Sequence, residues 1–395
     1  MNPSAVLLLV GLMALPGPRE VAVDCDAGGN LATALTKAKR FPGTTIHVQG
    51  TCTGSFVVAA EGLSLEGDPT APAVLQGPED ALANRLPVLD VTVSRFTMSN
   101  FIVRKGWIGV HVRGGIHARA DVRILDSTFE ENYGGVLIDG GSNAAIRRST
   151  FQSNEVGVAV QFGSLGSVLD CEIRDSGIRG LDVYGHSTAS LFASSVSGSG
   201  NAGIGASIDS SIFVHEVTLS ESGDAHAVVR DRSRLSAGRN VRFGSDGDST
   251  GLAVFLDDGS SLETSTGPGL WGDVSAEGGS HLLLRYIGLH GSLRLDAFTD
   301  TVLFNTKVDG VVECRRGSDV FCDTGTTASV SGCASAGPPC TNAPSTADDS
   351  LRGGPAPPDS GKDFGAAGLS ELRSDGPVRP SEPRPAARPL RIKGE

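Results

Sequence analysis

Apolar and polar residues alternate in short segments along most of the chain, and between residues 122 and 207 the alternation is written four times. Val122 to Ile138 reads VRILDSTFEENYGGVLI and Ala144 to Val160 reads AAIRRSTFQSNEVGVAV. Ser167 to Val183 and Ala189 to Ala206 repeat the phrase with Ile173 and Val196 in place of Phe129 and Phe151. Equivalent positions recur about every 22 to 23 residues, the signature of stacked units that cannot bury an apolar face alone. Within each unit the period is two, which predicts half-buried strands. Strands that recur once per turn must run parallel, each bonded to its equivalent one coil away.

Strand-length apolar runs also precede and follow the regular repeats. TIHV, FVV, LSLEG, AVLQG and PVLDV follow Thr45, and AVVR, GLAVFL, HLLLRYIGL and TVLF continue the series beyond Asp224. Helical spacing is confined to LATALTKAKRF, where Leu31, Ala34, Leu35 and Ala38 share a face and Asn30 is placed as N-cap. Such a helix would cover the open end of the first coil, which would otherwise expose core and strand edge. Asn132 and Asn154 occupy the same turn of successive repeats. They are expected at corners, adopting the left-handed backbone and bonding one another through their amides.

Both ends of the chain differ from the middle. Residues 5 to 15, AVLLLVGLMAL, are too few to span a bilayer and suit the core of a signal peptide, so residues 1–22 are expected to be an export leader cleaved near Ala22. The cap is expected over 23–44 and the repeats with a Cys-rich end over 45–342. Residues 343–395 hold nine of the 20 prolines, a density that predicts a disordered tail.

Composition narrows the partners. The formal net charge of −12, with no stripe of Lys and Arg interleaved with aromatics, speaks against nucleic acid. Seven cysteines fit an oxidising compartment, and with the leader they predict a secreted, periplasmic or bacterial cell-surface protein without a transmembrane segment after leader removal. Cys25 and Cys52 could close the N-terminal end, and Cys314, Cys322, Cys333 and Cys340 the other. The last four lack the C-x-x-C spacing of a zinc site, which favours disulfides. Cys171 stands where Ser149 stands one repeat earlier and is read as a small buried filler.

The repeat grammar of STFEENYGGVLI and STFQSNEVGVAV, with the cap helix and leader, resembles the right-handed parallel β-helix proteins of the pectin-lyase-like superfamily. The resemblance implies an all-β chain, a single-stranded right-handed parallel β-helix of about 12 coils of roughly 22–24 residues. Many proteins of that superfamily are secreted polysaccharide lyases or hydrolases, others adhesins or surface rods, and fold alone does not choose among them. The polygalacturonase pattern is not matched in order. Asp257-Asp258 and Leu289-His290-Gly291 are present, but Asn305-Thr306-Lys307 follows them and lacks the Asp, and Arg391-Ile392-Lys393 lies in the tail.

If Val110, Val136, Val158, Leu181 and Ile204 point inward, the alternate residues form outward columns. His111 and Asp182 fall in one column, and Arg113, Asp139, Gln161 and Tyr184 in the next. This row is the candidate carbohydrate contact, with Tyr184 or the nearby Tyr133 as a stacking platform. Asp139 and Asp182 stand two coils apart, about 10 Å, outside the roughly 5 to 9.5 Å range of glycosidase pairs. Two separated carboxylates do not make a calcium site, and calcium is expected only if the chain is an enzyme. Asp257-Asp258 before Gly259 reads as a turn. The sequence thus favours a rod that contacts a polysaccharide or cell-wall glycan without a clear catalytic centre or cofactor. A polysaccharide lyase or glycosidase is the alternative, and an adhesin-like spacer the third.

Overall fold

In a computed structural model of the chain, the described residues are 19–114, 119–245, 251–267, 269–323, 325–333 and 340–342. The expected leader core, the tail and Arg391-Ile392-Lys393 lie outside them. Each regular coil carries three strands, for example Asn143–Arg147, Thr150–Gln152 and Val156–Gln161. The first strands of successive coils form a 14-stranded parallel sheet, and the second and third strands are joined in another of 25. The chain is a right-handed parallel β-helix.

The alternation sets the register. Val110, Val136, Val158, Leu181 and Ile204 are successive partners and fully or almost fully buried, as their spacing predicts. Phe129 and Phe151 stack with centroids 4.8 Å apart and planes 9° from parallel, so the rings repeat at the strand spacing. The first-strand sheet makes about 13 turns, close to the expected 12, with Glu20–Asp24 adding a strand ahead of Thr45, and the coils vary in length. Leu283, Val302 and Phe321 are register partners only 19 residues apart, whereas Arg123, Ala145 and Ser167 are 22 apart. The missing residues come from the third strand, six long in Val156–Gln161 and three in Leu293–Leu295, while the corners keep their total length.

Those corners use left-handed backbone at fixed places. Glu131, Ser153 and Asp175, with φ of 56°, 53° and 55°, turn the chain from second to third strand. The left-handed residue therefore precedes the asparagine, which corrects the expected division of labour. Asn132 and Asn154 are instead buried and spend their side chains on the ladder. Their amides donate to Val103 and Phe129 carbonyls at 3.0 and 2.9 Å. Hydroxyls do similar work elsewhere: Ser164, Ser187 and Ser210 backbone N–H groups donate to the Ser187, Ser210 and Ser233 hydroxyls at 3.0 to 3.3 Å.

The ends are closed as the sequence suggests. The helix Leu31–Ala38 buries Leu31, Ala34, Leu35 and Ala38, and Asn30 Oδ1 accepts the Thr33 N–H at 2.9 Å. Glu20–Asp24 adds a strand to the first sheet, paired with Thr45–Gln49. Disulfides join Cys25 to Cys52, Cys314 to Cys333 and Cys322 to Cys340. The last two span 19 and 18 residues, one short coil each, so they tie neighbouring coils together.

Candidate functional site

The third strands build the row read from the alternation. His111 pairs with Leu137 and Arg113 with Asp139, while Gln161 pairs with Tyr184 and Ala159 with Asp182. Exposure is uneven along it. Arg113 is exposed, His111 and Tyr184 are half-buried, and Asp139, Gln161 and Asp182 retain only 6%, 1% and 1% of their surface. Stacking at coil spacing brings each side chain against the ones above and below, which a single strand's pattern cannot reveal.

Two residues that the sequence reading did not select organise this row. Asp90, one coil before His111, accepts hydrogen bonds from Arg113 Nε and Nη2 at 2.8 and 2.6 Å. This bond, chiefly, holds the Arg113 guanidinium above its ordinary pKa. His111 lies between two carboxylates, with Nδ1 3.9 Å from Asp90 Oδ1 and Nε2 3.7 Å from Asp139 Oδ2. Farther along, buried Arg179 donates to Asp182 Oδ1. Asp182 Oδ2 and Gln161 Nε2 have no hydrogen-bond partner among the described residues. Carrying the alignment one coil back would have found Asp90, which occupies the column of His111. Arg179 was hidden because it stands where the other coils carry Ile108, Gly134 and Val156.

The first-strand sheet presents a more open surface, unforeseen because its outward residues change type at every coil. Phe213 is 40% exposed and packs against Phe192, with centroids 5.5 Å apart, and alongside His215 at 6.5 Å. A groove of about 400 Å³ follows these rings, lined by Arg234, Ser236 and Glu263 among others. Its polar wall is preset: Arg234 bonds Glu263, and Arg285 Nη1 approaches the same carboxylate at 3.6 Å. His215 Nδ1 accepts the Arg239 N–H at 3.2 Å, which leaves its ring proton on Nε2.

Asp257-Asp258 forms the turn expected of it, with φ of 50° at Asp258 and 70° at Gly259. The neighbouring coils place Glu277 and Asp296 at the equivalent of Asp257, since Leu256, Ala276 and Leu295 are register partners. Burial, then the charge of Asp258, pushes the Asp257 carboxyl above its ordinary range; burial, then the charge of Asp257, does the same to Glu277. Among the described residues no group of three or more His, Cys, Asp and Glu side chains is arranged to hold a metal ion. His226 is buried and takes a third-strand position filled by Gly203 one coil earlier.

A family profile described as "Right handed beta helix region" matches residues 89–191. No curated protein sequence matches the chain. Among solved structures, the crystal structure of pectate lyase Pel9A aligns with a TM-score of 0.38 and 11% identity, covering 82% of this chain and 79% of that one. An alginate lyase from Paenibacillus sp. str. FPU-7 aligns with a TM-score of 0.28 and 13% identity, covering 81% and 99%. The PL6 family alginate lyase AlyGC gives 0.33 and 8%, covering 78% and 79%.

Proposed function

We propose that the chain is an extracytoplasmic β-helix rod that binds carbohydrate on its side. The groove beside Phe213 carries this reading. It offers an exposed aromatic face to the apolar side of a sugar ring, with Arg234, Glu263 and the His215 Nε2–H as directional partners for hydroxyls. Its volume of about 400 Å³ lies within the roughly 300–1,000 Å³ of small-ligand clefts. Three disulfides suit an oxidising compartment. The third-strand row is the second contact in this proposal, through Arg113 and Tyr184, with His111, Asp139, Gln161 and Asp182 as the polar floor behind them.

Glycan-array binding by the purified full chain tests this. Phe213→Ala should remove most of the signal, and the double variant Tyr184→Ala with Asp139→Ala should remove the remainder. Unchanged binding by Phe213→Ala dismisses the groove, and no binding by the wild type dismisses the reading.

The Asp257–Glu277 pair favours glycoside hydrolysis as a second reading. Asp257 and Glu277 hold equivalent positions of adjoining coils, and the strand spacing of about 4.8 Å is near the roughly 5 to 5.5 Å of retaining pairs. A carboxyl raised by burial suits the general acid. Release of reducing ends from polysaccharides, abolished by Asp257→Asn, would establish it. Lack of release across neutral and acidic polysaccharides would remove it.

A further inference from the structure

The second strands carry a ladder outside both of those sites. Arg242, Trp271, His290 and Asp309 stand on four successive coils. The Arg242 guanidinium lies 4.3 Å from the Trp271 ring centroid, and the His290 ring stacks on the same indole at 4.8 Å with planes 25° apart. On the next coil Asp309 Oδ2 lies 2.7 Å from His290 Nδ1, and its other oxygen accepts from Lys307 Nζ at 2.6 Å. His290 and Asp309 each keep 37% of their side-chain surface and Lys307 keeps 69%.

Each contact restricts the imidazole. Trp271 and Asp309 set the plane and one edge of the ring. Lys307, and then His290, hold the Asp309 carboxyl below its ordinary range, so it remains an acceptor and keeps a proton on Nδ1. The other nitrogen, Nε2, is left as the basic edge. It lies over Gly288, where an added Cβ would come within 3.1 Å of it. Lys307 is the register partner of Gly288 one coil on, which brings a proton acceptor and a cation to adjoining positions of one column.

We propose that His290 is the proton-transferring residue of an ester-hydrolysing site on the second-strand face, with Lys307 as its oxyanion partner and Asp309 as a positioning residue. The substrate class is an O-acyl ester. One base and one cation suffice for that reaction, whereas a glycosidic bond calls for two carboxyl groups, and Asp309 is already engaged twice. Water adds to the acyl carbon as Nε2 takes its proton, and the carbonyl oxygen becomes an oxyanion beside Lys307. The adduct expels the alkoxide, which recovers the proton from Nε2, leaving a carboxylic acid and an alcohol.

Hydrolysis of p-nitrophenyl acetate by the full disulfide-bonded chain is the test. The wild type should turn over the ester faster than free imidazole at equal concentration. His290→Ala and the bulk-preserving His290→Gln should each lose about 100-fold or more in kcat/KM. Lys307→Met should lose about tenfold or more, within the range set by removing one oxyanion partner. Asp309→Ala should lower the rate and also move the His290 ring proton from Nδ1 toward Nε2 in imidazole nitrogen NMR, a change that a merely structural role for Asp309 would not produce. Circular dichroism confirms that each variant is folded. A wild type no faster than free imidazole, folded His290 variants at wild-type rate, or a ring proton already on Nε2 would each overturn the proposal.

Discussion

Asn154 Oδ1 accepts two hydrogen bonds from Asn132, one coil earlier: the backbone N–H at 3.0 Å and the side-chain amide at 3.2 Å. Asn132 Oδ1 in turn accepts the Gly106 N–H at 2.9 Å. Three coils are thereby joined through a corner that water does not reach, and both asparagines retain 3% or less of their surface.

Removing one rung should therefore cost more than one exposed hydrogen bond. Asn154→Ala strands the Asn132 backbone N–H in the interior, and each buried polar group left unsatisfied costs about 1–3 kcal/mol. The expected result is a lower urea midpoint, with faster amide exchange at Asn132 and its neighbours than at the cap helix. An unchanged midpoint would show that the ladder does not hold the corner.

Arg179 and Asp182 form the buried ion pair of the third-strand face, with 8% and 1% of their surfaces left. Arg179→Met should destabilise by about 3–5 kcal/mol by leaving a buried carboxylate without its cation, and adding Asp182→Leu should recover much of that loss. Thermal unfolding of the two variants checks it. Equal melting temperatures for the single and double variants would contradict the pairing.

Cys171 occupies the column of Ser127, Ser149 and Ser194, and its backbone N–H donates to the Ser194 hydroxyl at 3.0 Å. Burial pushes its thiol up to about 11, so almost no thiolate exists at pH 8. A thiol reagent at that pH should leave the native chain unmodified and label one cysteine after unfolding without reductant. Rapid labelling of the native chain would refute the assignment of Cys171 as core filler.

The raised carboxyls of Asp257 and Glu277 make a pH prediction of definite sign. A folded-state pKa above the unfolded one means that ionisation opposes folding. The penalty is full above the folded pKa and vanishes below the unfolded one. Asp257→Asn should thus raise stability at neutral pH, and its advantage over wild type should shrink as pH falls through the carboxylate range. Asn can still accept the Asp258 N–H that Asp257 accepts at 2.8 Å, which separates the charge from the hydrogen bond. Denaturant midpoints of the two proteins across that range provide the measurement, and a pH-independent difference would count against the assignment.

What the sequence by itself determined was the architecture, because a strand has only two faces and a coil repeats them at one spacing. Val110, Val136 and Val158 had to share the inside, and His111 and Arg113 consequently fell in outward columns, before any contact was known. The cap helix was legible in the same way, from the spacing of Leu31, Ala34, Leu35 and Ala38.

Only the tertiary structure decided which outward residues meet one another and which remain open. Asp90 reaches Arg113 from 23 residues away, Arg234 reaches Glu263 from 29, and His290 reaches Asp309 from 19. These separations differ because the coils differ in length, so no single repeat length aligns them. Exposure was equally out of reach: Asp182 and Phe213 both point outward, yet one retains 1% of its surface and the other 40%. The difference lies in the side chains stacked one coil above and below, and coil stacking is a property of the folded β-helix.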